Sequence, residues 1–133
     1  MTVQWSTTVR NAVLDAWEAA IGASARVEMR TGGPSGDMSA PAGTLLVTVP
    51  LAADWASPAS GGVKAMADLP ASADAVAPGA IGHYRIIDSG GVCHEQGSVT
   101  ATGGDGDLTV DNPTVTLHQT VLITSWSKTA PSA

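Results

Sequence analysis

The sequence predicts a mainly β protein: a β-sandwich or jelly-roll-like barrel of about seven or eight short antiparallel strands, with one N-terminal amphipathic helix. Three observations lead to this class. The 133 residues include 15 Gly and 8 Pro, a composition typical of many turns. Apolar residues recur with a helical period in only one segment, and later segments alternate apolar and polar residues as strands do. The length fits a single domain over 1–133.

The helix is predicted over residues 6–21. Its apolar residues recur at spacings of three and four: Val9, Val13, Ala16 and Ala20, with Leu14, Trp17 and Ile21 beside them. Ser6 or Thr7 is suited to cap the first turn, and Gly22 is suited to the left-handed C-terminal cap. Three charged residues are expected on the side that faces water: Arg10, Asp15 and Glu18. We therefore expect these apolar residues, with Trp17 on the buried face, to pack on the rest of the protein.

The β-sandwich is predicted over residues 25–127. Alternation over 25–30 and an apolar run over 44–49 indicate two strands that pair antiparallel, joined by a loop rich in Gly and Pro. Residues 82–87 and 92–99 form the clearest hairpin, and shorter strands follow at 107–110, 114–117 and 120–127. The tail 128–133 is expected to be loose.

The hairpin's register follows if its turn occupies residues 88–91. Partners then keep a constant index sum: Ile87 faces Val92, Ile86 faces Cys93, Arg85 faces His94 and Tyr84 faces Glu95. The expected core face consists of Tyr84, Ile86, Cys93, Gly97 and Val99.

Residues 51–80 show little regular signal, since Ala, Ser, Gly and Pro dominate. One weak strand is predicted near 63–69. A structureless stretch of this length is uncommon inside a domain and often reflects binding to a partner. The segment is therefore expected to be an ordered loop or an arm that lies on another molecule.

The charge balance excludes some partners. Six Lys and Arg against twelve Asp and Glu give a net charge of −6, so a nucleic-acid partner is not expected. The lone cysteine, Cys93, cannot form a disulfide within the chain. No signal peptide and no apolar run of about 18 residues is visible, so we expect a soluble protein that is not exported by that route and binds no membrane.

Candidate chemistry is sparse. Cys93 and His94 could pair as nucleophile and base, but successive strand residues point to opposite faces. Neither these nor His83 and His118 match a metal motif. The turn 103–107 could hold calcium, although turn chemistry explains its Gly and Asp residues more simply. We expect no enzyme activity, no catalytic, metal or cofactor-binding residues, and no cofactor.

The tryptophans remain as candidate contacts. Trp17 and Trp126 are expected in the core, and Trp5 is expected either to staple the helix start or to touch a neighbouring subunit. Trp55, in an irregular loop, is the preferred interface anchor. The Ala-rich arm 71–80 is the other predicted interface, with three residues named for it: Ala71, Val76 and Pro78.

Several segments of the chain resemble segments of small virion-associated proteins of tailed bacteriophages and prophages, and they occur in the same order as in that family. They are 10–16, 21–24, 43–47, 82–86, 97–100 and 107–112. The shared pattern consists of fold-forming residues, so the resemblance carries over no site.

The resemblance implies a virion structural protein made in the host bacterial cytoplasm. The first reading is a capsid decoration or cement protein, plausibly a homotrimer, that binds the major capsid protein on the outer lattice and stabilises it. The second reading places it in the tail or neck. A third class is a small lectin-like binding module, since jelly-roll sandwiches often serve that role.

Overall fold

The computed structural model describes residues 4–67 and 71–130. Its elements in chain order are α1 Thr7–Ile21, β1 Arg26–Thr31, β2 Leu45–Pro50, β3 Val63–Ala65, β4 Ala71–Asp74, β5 Gly79–Ile87, β6 Cys93–Ala101, β7 Leu108–Val110, β8 Thr114–Val115 and β9 Thr120–Thr129. The predicted class is confirmed: the protein is mainly β, with one N-terminal helix and a sheet curled into a half-barrel.

The sheet runs in the order β2-β1-β5-β6-β7-β9-β3, with β4 paired to β9 and β8 paired to β5. The predicted antiparallel pairing of the first two strands is confirmed. The expectation of antiparallel strands throughout is wrong at one place, because β6 and β7 are parallel. Just after β4, the Val76 amide donates to the Leu46 carbonyl at 2.7 Å, which draws the β9 side of the curled sheet towards β2.

The helix lies where the sequence predicts it. The Ser6 hydroxyl accepts from the Val9 amide at 3.2 Å, and Gly22 ends the helix with φ +78°. The predicted packing face is only partly correct, with Trp17 packed against the core as expected. Leu14 and Ile21 are buried, whereas the valine and alanine face is exposed.

Segment 51–67 folds back on α1 as an ordered loop that contains β3. Polar side chains of the helix accept from its backbone amides: Asn11 Oδ1 from Gly62 at 2.9 Å, Asp15 Oδ1 from Ala59 at 3.0 Å and Glu18 Oε2 from Ala56 at 3.2 Å. These bonds satisfy amides that have no strand partner. They also explain why the polar side of α1 faces inward. Leu69, at the end of the predicted strand, lies outside the described residues.

The Ala-rich stretch 71–80 is not a free arm. Its first half is β4, paired along β9 from Ala71 with Ile123 to Asp74 with Thr120, and its end begins β5. Alanine and serine have low strand propensity, so the pairing with a long neighbouring strand decides this conformation.

The hairpin of β5 and β6 forms with a different register. Tyr84 pairs with Gly97 and Arg85 with Gln96, an index sum two higher than predicted. One residue of β5 is matched by two of β6 between the Ile86–Glu95 and Ile87–Cys93 pairs, so His94 is the extra residue of a bulge. The predicted core face is correct for Tyr84, Ile86, Gly97 and Val99, which are buried; Cys93 is half-buried.

The C-terminal end is also more ordered than predicted. β9 continues to Thr129, the Ala130 amide donates to Gly62, and Arg10 Nε donates to the Ala130 carbonyl at 3.3 Å. The rest of the predicted tail, 131–133, lies outside the described residues.

The core contains an aromatic cluster that composition alone does not predict. The rings of Trp55 and Trp126 stack at 5.6 Å, and Trp17 meets them edge-on at 5.1 and 5.6 Å. Tyr84 meets Trp126 edge-on at 5.8 Å. The cluster joins the helix, the 51–67 segment and the sheet. A few large rings thus fill space between these elements that smaller aliphatic side chains cannot span.

We expect Gly97→Ala to destabilise the protein by about 1–3 kcal/mol, the usual effect of overpacking. A Cβ atom at Gly97 would lie 2.6 Å from the Tyr84 ring, which the core holds in place. The control is Gly36→Ala, because an added Cβ there meets nothing within 4 Å. Urea unfolding of both variants measures the difference, and equal stabilities would contradict the close packing of Tyr84 on β6.

Candidate functional site: the exposed face of the N-terminal helix

An apolar strip runs along the outer side of α1. Trp5, Val9 and Val13 are 39%, 45% and 42% exposed, and Ala16 and Ala20 on the same side are also exposed. Spacings of four, three and four place Val9, Val13, Ala16 and Ala20 on one side of the helix, and Trp5 lies just before the cap residue Ser6. The strip contains no charged residue, because the charged residues of the helix lie on its other side.

The inward side of α1 is held by a buried cation. Lys64 Nζ, on β3, lies 2.7 Å from Asp15 Oδ1 and 2.9 Å from Glu18 Oε1, and the Lys64 side chain is 1% exposed. Burial opposes the lysine charge, but the hydrogen bonds to the two carboxylates outweigh it and raise the pKa of Lys64. The Lys64 hydrogen bond, with that of the Ala59 amide, lowers the pKa of Asp15. A buried charge needs such partners, so these contacts fix which side of the helix faces outward.

The lowered pKa of Asp15 gives a pH prediction. A carboxyl whose folded pKa is depressed adds stability above its unfolded value, here 3.8, and that stability is lost as pH falls through the folded pKa. We therefore expect Asp15→Asn to be less stable than the wild type near neutral pH, with the gap closing below about pH 4. Urea unfolding across pH measures this. Asp54→Asn, at an exposed carboxylate, is the control, and an Asp15→Asn gap unchanged down to pH 2 would contradict the prediction.

Two of the predicted interface tryptophans have opposite environments. Trp5 is exposed at the start of the strip. Trp55 is 2% exposed, and its indole nitrogen donates to the Gly22 carbonyl at 3.1 Å. The expectation that Trp55 is a surface anchor is therefore wrong, because its loop folds back on the helix and delivers the ring to the core.

Of the other predicted contact residues, Ala71 begins β4, and Val76 and Pro78 lie in the link between β4 and β5. Val76 is 60% exposed and Pro78 is exposed, whereas Ala71 is half-buried against the core. Leu117 is 52% exposed in a turn joined to the same segment, since the His118 amide donates to Ala75. A second, smaller apolar patch therefore lies around Val76.

The titratable candidates are separated. His94 Nε2 lies 2.7 Å from Asp88 Oδ2, so His94 is not the cross-strand neighbour of Arg85. His83 is buried and donates from Nδ1 to the Gly32 carbonyl at 2.8 Å, and His118 is exposed in a turn. The bulge at His94 brings Cys93 to the cavity that Arg85 lines, rather than to the core.

The acidic turn 103–107 uses its carboxylate internally. Asp107 Oδ2 accepts from the Ser98 amide at 3.0 Å and from the Ser98 hydroxyl at 3.1 Å, which lowers the pKa of Asp107. Close behind, Asp111 Oδ1 accepts from the Leu122 amide at 2.9 Å. Within residues 4–67 and 71–130, His, Cys, Asp and Glu side chains form no group of three or more that could hold a metal ion.

Comparison of the chain with protein-family models, curated proteins and solved structures found no match. In the part of the chain that the structure describes, no helix has the length and apolar character needed to cross a lipid bilayer.

The two tryptophans yield a paired prediction. We expect Trp55→Ala to reduce the free energy of unfolding by about 3–5 kcal/mol, because it removes the stacked partner of Trp126 and leaves a cavity. Trp5→Ala should change stability by less than about 0.5 kcal/mol, as at other exposed positions. Denaturant unfolding of both variants tests this, and an equal loss in the two would place Trp5 in the core.

Proposed function

We propose that this protein is a bacteriophage virion structural protein, a capsid decoration protein that binds the outer lattice and stabilises it. The observation that carries the proposal is the uncharged apolar strip on α1, defined by Trp5, Val9, Val13, Ala16 and Ala20. A neutral apolar strip that begins at an exposed tryptophan is suited to anchor another protein. The resemblance of the sequence to small virion proteins supports the particle as its setting.

The strip's occupant in this proposal is the major capsid protein. The chain carries a net charge of −6, yet the strip itself carries no charge. An apolar groove or ledge on the capsid surface complements a neutral helix face of this kind. Aromatic anchors such as Trp5 contribute strongly at protein interfaces.

The size of the strip supports binding in several copies. A helix of 15 residues is roughly 22 Å long and about 10 Å wide, so the strip covers about 200 Å². A stable complex buries about 800 Å² on each partner. Each copy needs further contacts, for which the patch around Val76 and Pro78 is available, or the avidity of an oligomer. A homotrimer at the junctions between capsomers supplies both the further contacts and the avidity. The mass of such a trimer in solution can be measured by light scattering.

The proposal predicts where the protein is found and which residue keeps it there. In purified particles of the phage that encodes this chain, quantitative mass spectrometry should find it in copy numbers near that of the major capsid protein. Val13→Glu should greatly lower this occupancy, because it places a charge within the apolar contact. Val63→Glu is the matched control, since Val63 is 40% exposed but lies on β3.

The other outcomes are distinct. A copy number in the tens or fewer would place the protein in the tail or neck and contradict the decoration role. Absence from the particle would contradict the virion role altogether. Equal occupancy of the Val13→Glu and Val63→Glu proteins would show that the strip is not the contact surface.

A further inference from the structure

Basic side chains concentrate on the face of β1, β5 and β6 that is turned away from the tryptophan cluster. Cross-strand pairs set Arg30 beside His83 and Glu28 beside Arg85. Glu28 forms ion pairs at 3.4 Å with Arg26 and with Arg30. This region of an acidic protein therefore holds three arginines around one glutamate.

The loop 32–43 covers this face with its backbone carbonyls. Gly32 accepts from His83, Ser35 from Gln96 at 3.1 Å, and Gly43 from Arg30 at 3.2 Å. The loop supplies acceptors for hydrogen bonds, but carbonyl groups carry no net charge.

Arg85 is the buried cation of this face. The residue is 3% exposed; its Nη1 donates to Gln96 Oε1 at 2.8 Å and to the Ala40 carbonyl at 3.3 Å, and its Nη2 donates to the Met38 carbonyl at 2.7 Å. All three acceptors are neutral. Within the described residues Arg85 forms no ion pair with a carboxylate, and its buried Nε has no hydrogen-bond acceptor.

This arrangement is unusual within the molecule itself. The other buried cation, Lys64, has two carboxylates within 3 Å. Burial of a charge without an opposite charge is unfavourable, and an Arg fork matches the two oxygens of a carboxylate. The exposed Asp37 carboxylate, whose pKa is lowered by hydrogen bonds from Ser39 and also by the charge of Arg85, accepts from Ser39 and forms no ion pair with Arg85. Among the described residues, the Arg85 guanidinium thus has no carboxylate in direct contact.

A cavity of about 320 Å³ lies beside Arg85. It is lined by Arg85, Met38, Ser39, Gly91, Val92 and Cys93. Met38 and Val92 are 40% and 57% exposed, so its opening is apolar. A volume at the lower end of the range for small-molecule sites, with one cationic wall and an apolar rim, fits a short organic acid.

We propose that this cavity binds a small organic carboxylate, with the carboxylate group against Arg85 and a short apolar tail against Met38 and Val92. The site is independent of the helix strip and of the proposed virion role. Arg85 lines the cavity, and its Nε is the guanidinium donor that has no acceptor within the protein.

The test uses the wild-type protein, sodium butyrate and, as a neutral probe of the same shape, butyramide. Two signals report from the cavity: the rate at which iodoacetamide alkylates Cys93, and the NMR resonance of the Arg85 Nε–H group. Burial raises the pKa of the Cys93 thiol, so alkylation is followed at mildly alkaline pH. We expect butyrate to slow alkylation and shift the Arg85 resonance saturably, and butyramide to do neither.

Variants separate the site from general salt effects. Arg85→Gln should weaken butyrate binding about tenfold or more, the usual effect of losing a charged hydrogen-bond donor. Arg26→Gln, which removes a partly exposed arginine on the same face, should bind as the wild type does. If Arg85→Gln does not fold, the wild-type comparison of butyrate with butyramide still decides.

Three results would overturn the proposal. Equal effects of butyrate and butyramide would show that charge is not recognised. No effect of butyrate on either signal would show that the cavity does not bind a carboxylate. Phosphate acting as strongly as butyrate would make this a site for inorganic oxyanions rather than organic acids.

Discussion

The contact among Trp17, Trp55 and Trp126 is the interaction on which the rest of the structure depends. Each ring comes from a different part of the chain: the helix, the segment 51–67 and the last strand. In a chain with four Trp, one Tyr and no Phe, most of the aromatic surface is thus gathered at one point. The rings bury large areas and prefer edge-on or offset contact, so they hold the helix against the sheet in one orientation. Lys128 adds a charge above this cluster, 5.8 Å from the Trp126 ring centre and paired with Glu95.

The orientation of α1 has a consequence for its surface. The side that faces the molecule carries Asn11, Asp15 and Glu18, whose oxygens accept from backbone amides of 51–67 and, for the two carboxylates, from Lys64. The side that faces outward is apolar. The helix therefore has apolar residues on two sides: Leu14, Trp17 and Ile21 pack on the molecule, and the strip faces outward. A helix with a polar inner anchor and an apolar outer strip is suited to join its own domain to a second protein.

Local patterns predict much of the fold. The caps at Ser6 and Gly22, the helix between them, the β1–β2 pair and the existence of the β5–β6 hairpin depend on neighbouring residues, so periodicity and turn chemistry are sufficient. β4 could not be predicted in this way, because an Ala and Ser segment becomes a strand only beside β9. The hairpin register could not be predicted for two reasons: the turn is one residue longer, so that Ile87 pairs with Cys93, and the bulge at His94 leaves no mark in the alternation.

The candidate sites were harder to predict. The apolar face of α1 can be predicted from the spacing of its residues. Whether that face points inward or outward depends on Lys64, which is distant in sequence and lies in a segment without regular signal. Trp55 is predicted at the surface because the sequence of its loop shows no regular pattern. The hydrogen bonds between the loop amides and the helix, which bury Trp55, leave no signal in the sequence. Arg85 gives little signal, because its burial depends on the loop 32–43 that covers it and that is distant in sequence.

The most direct test of this account is the accessibility of two adjacent helix positions in the isolated protein. In a Cys93→Ser background, Val13→Cys and Leu14→Cys are each reacted with a thiol reagent. The account predicts that the thiol at position 13 reacts at nearly the rate of an unfolded peptide and that the thiol at position 14 is strongly protected. Protection at position 13 with rapid reaction at position 14 would mean that α1 packs through its valine face. That result would contradict the outward orientation of the apolar strip.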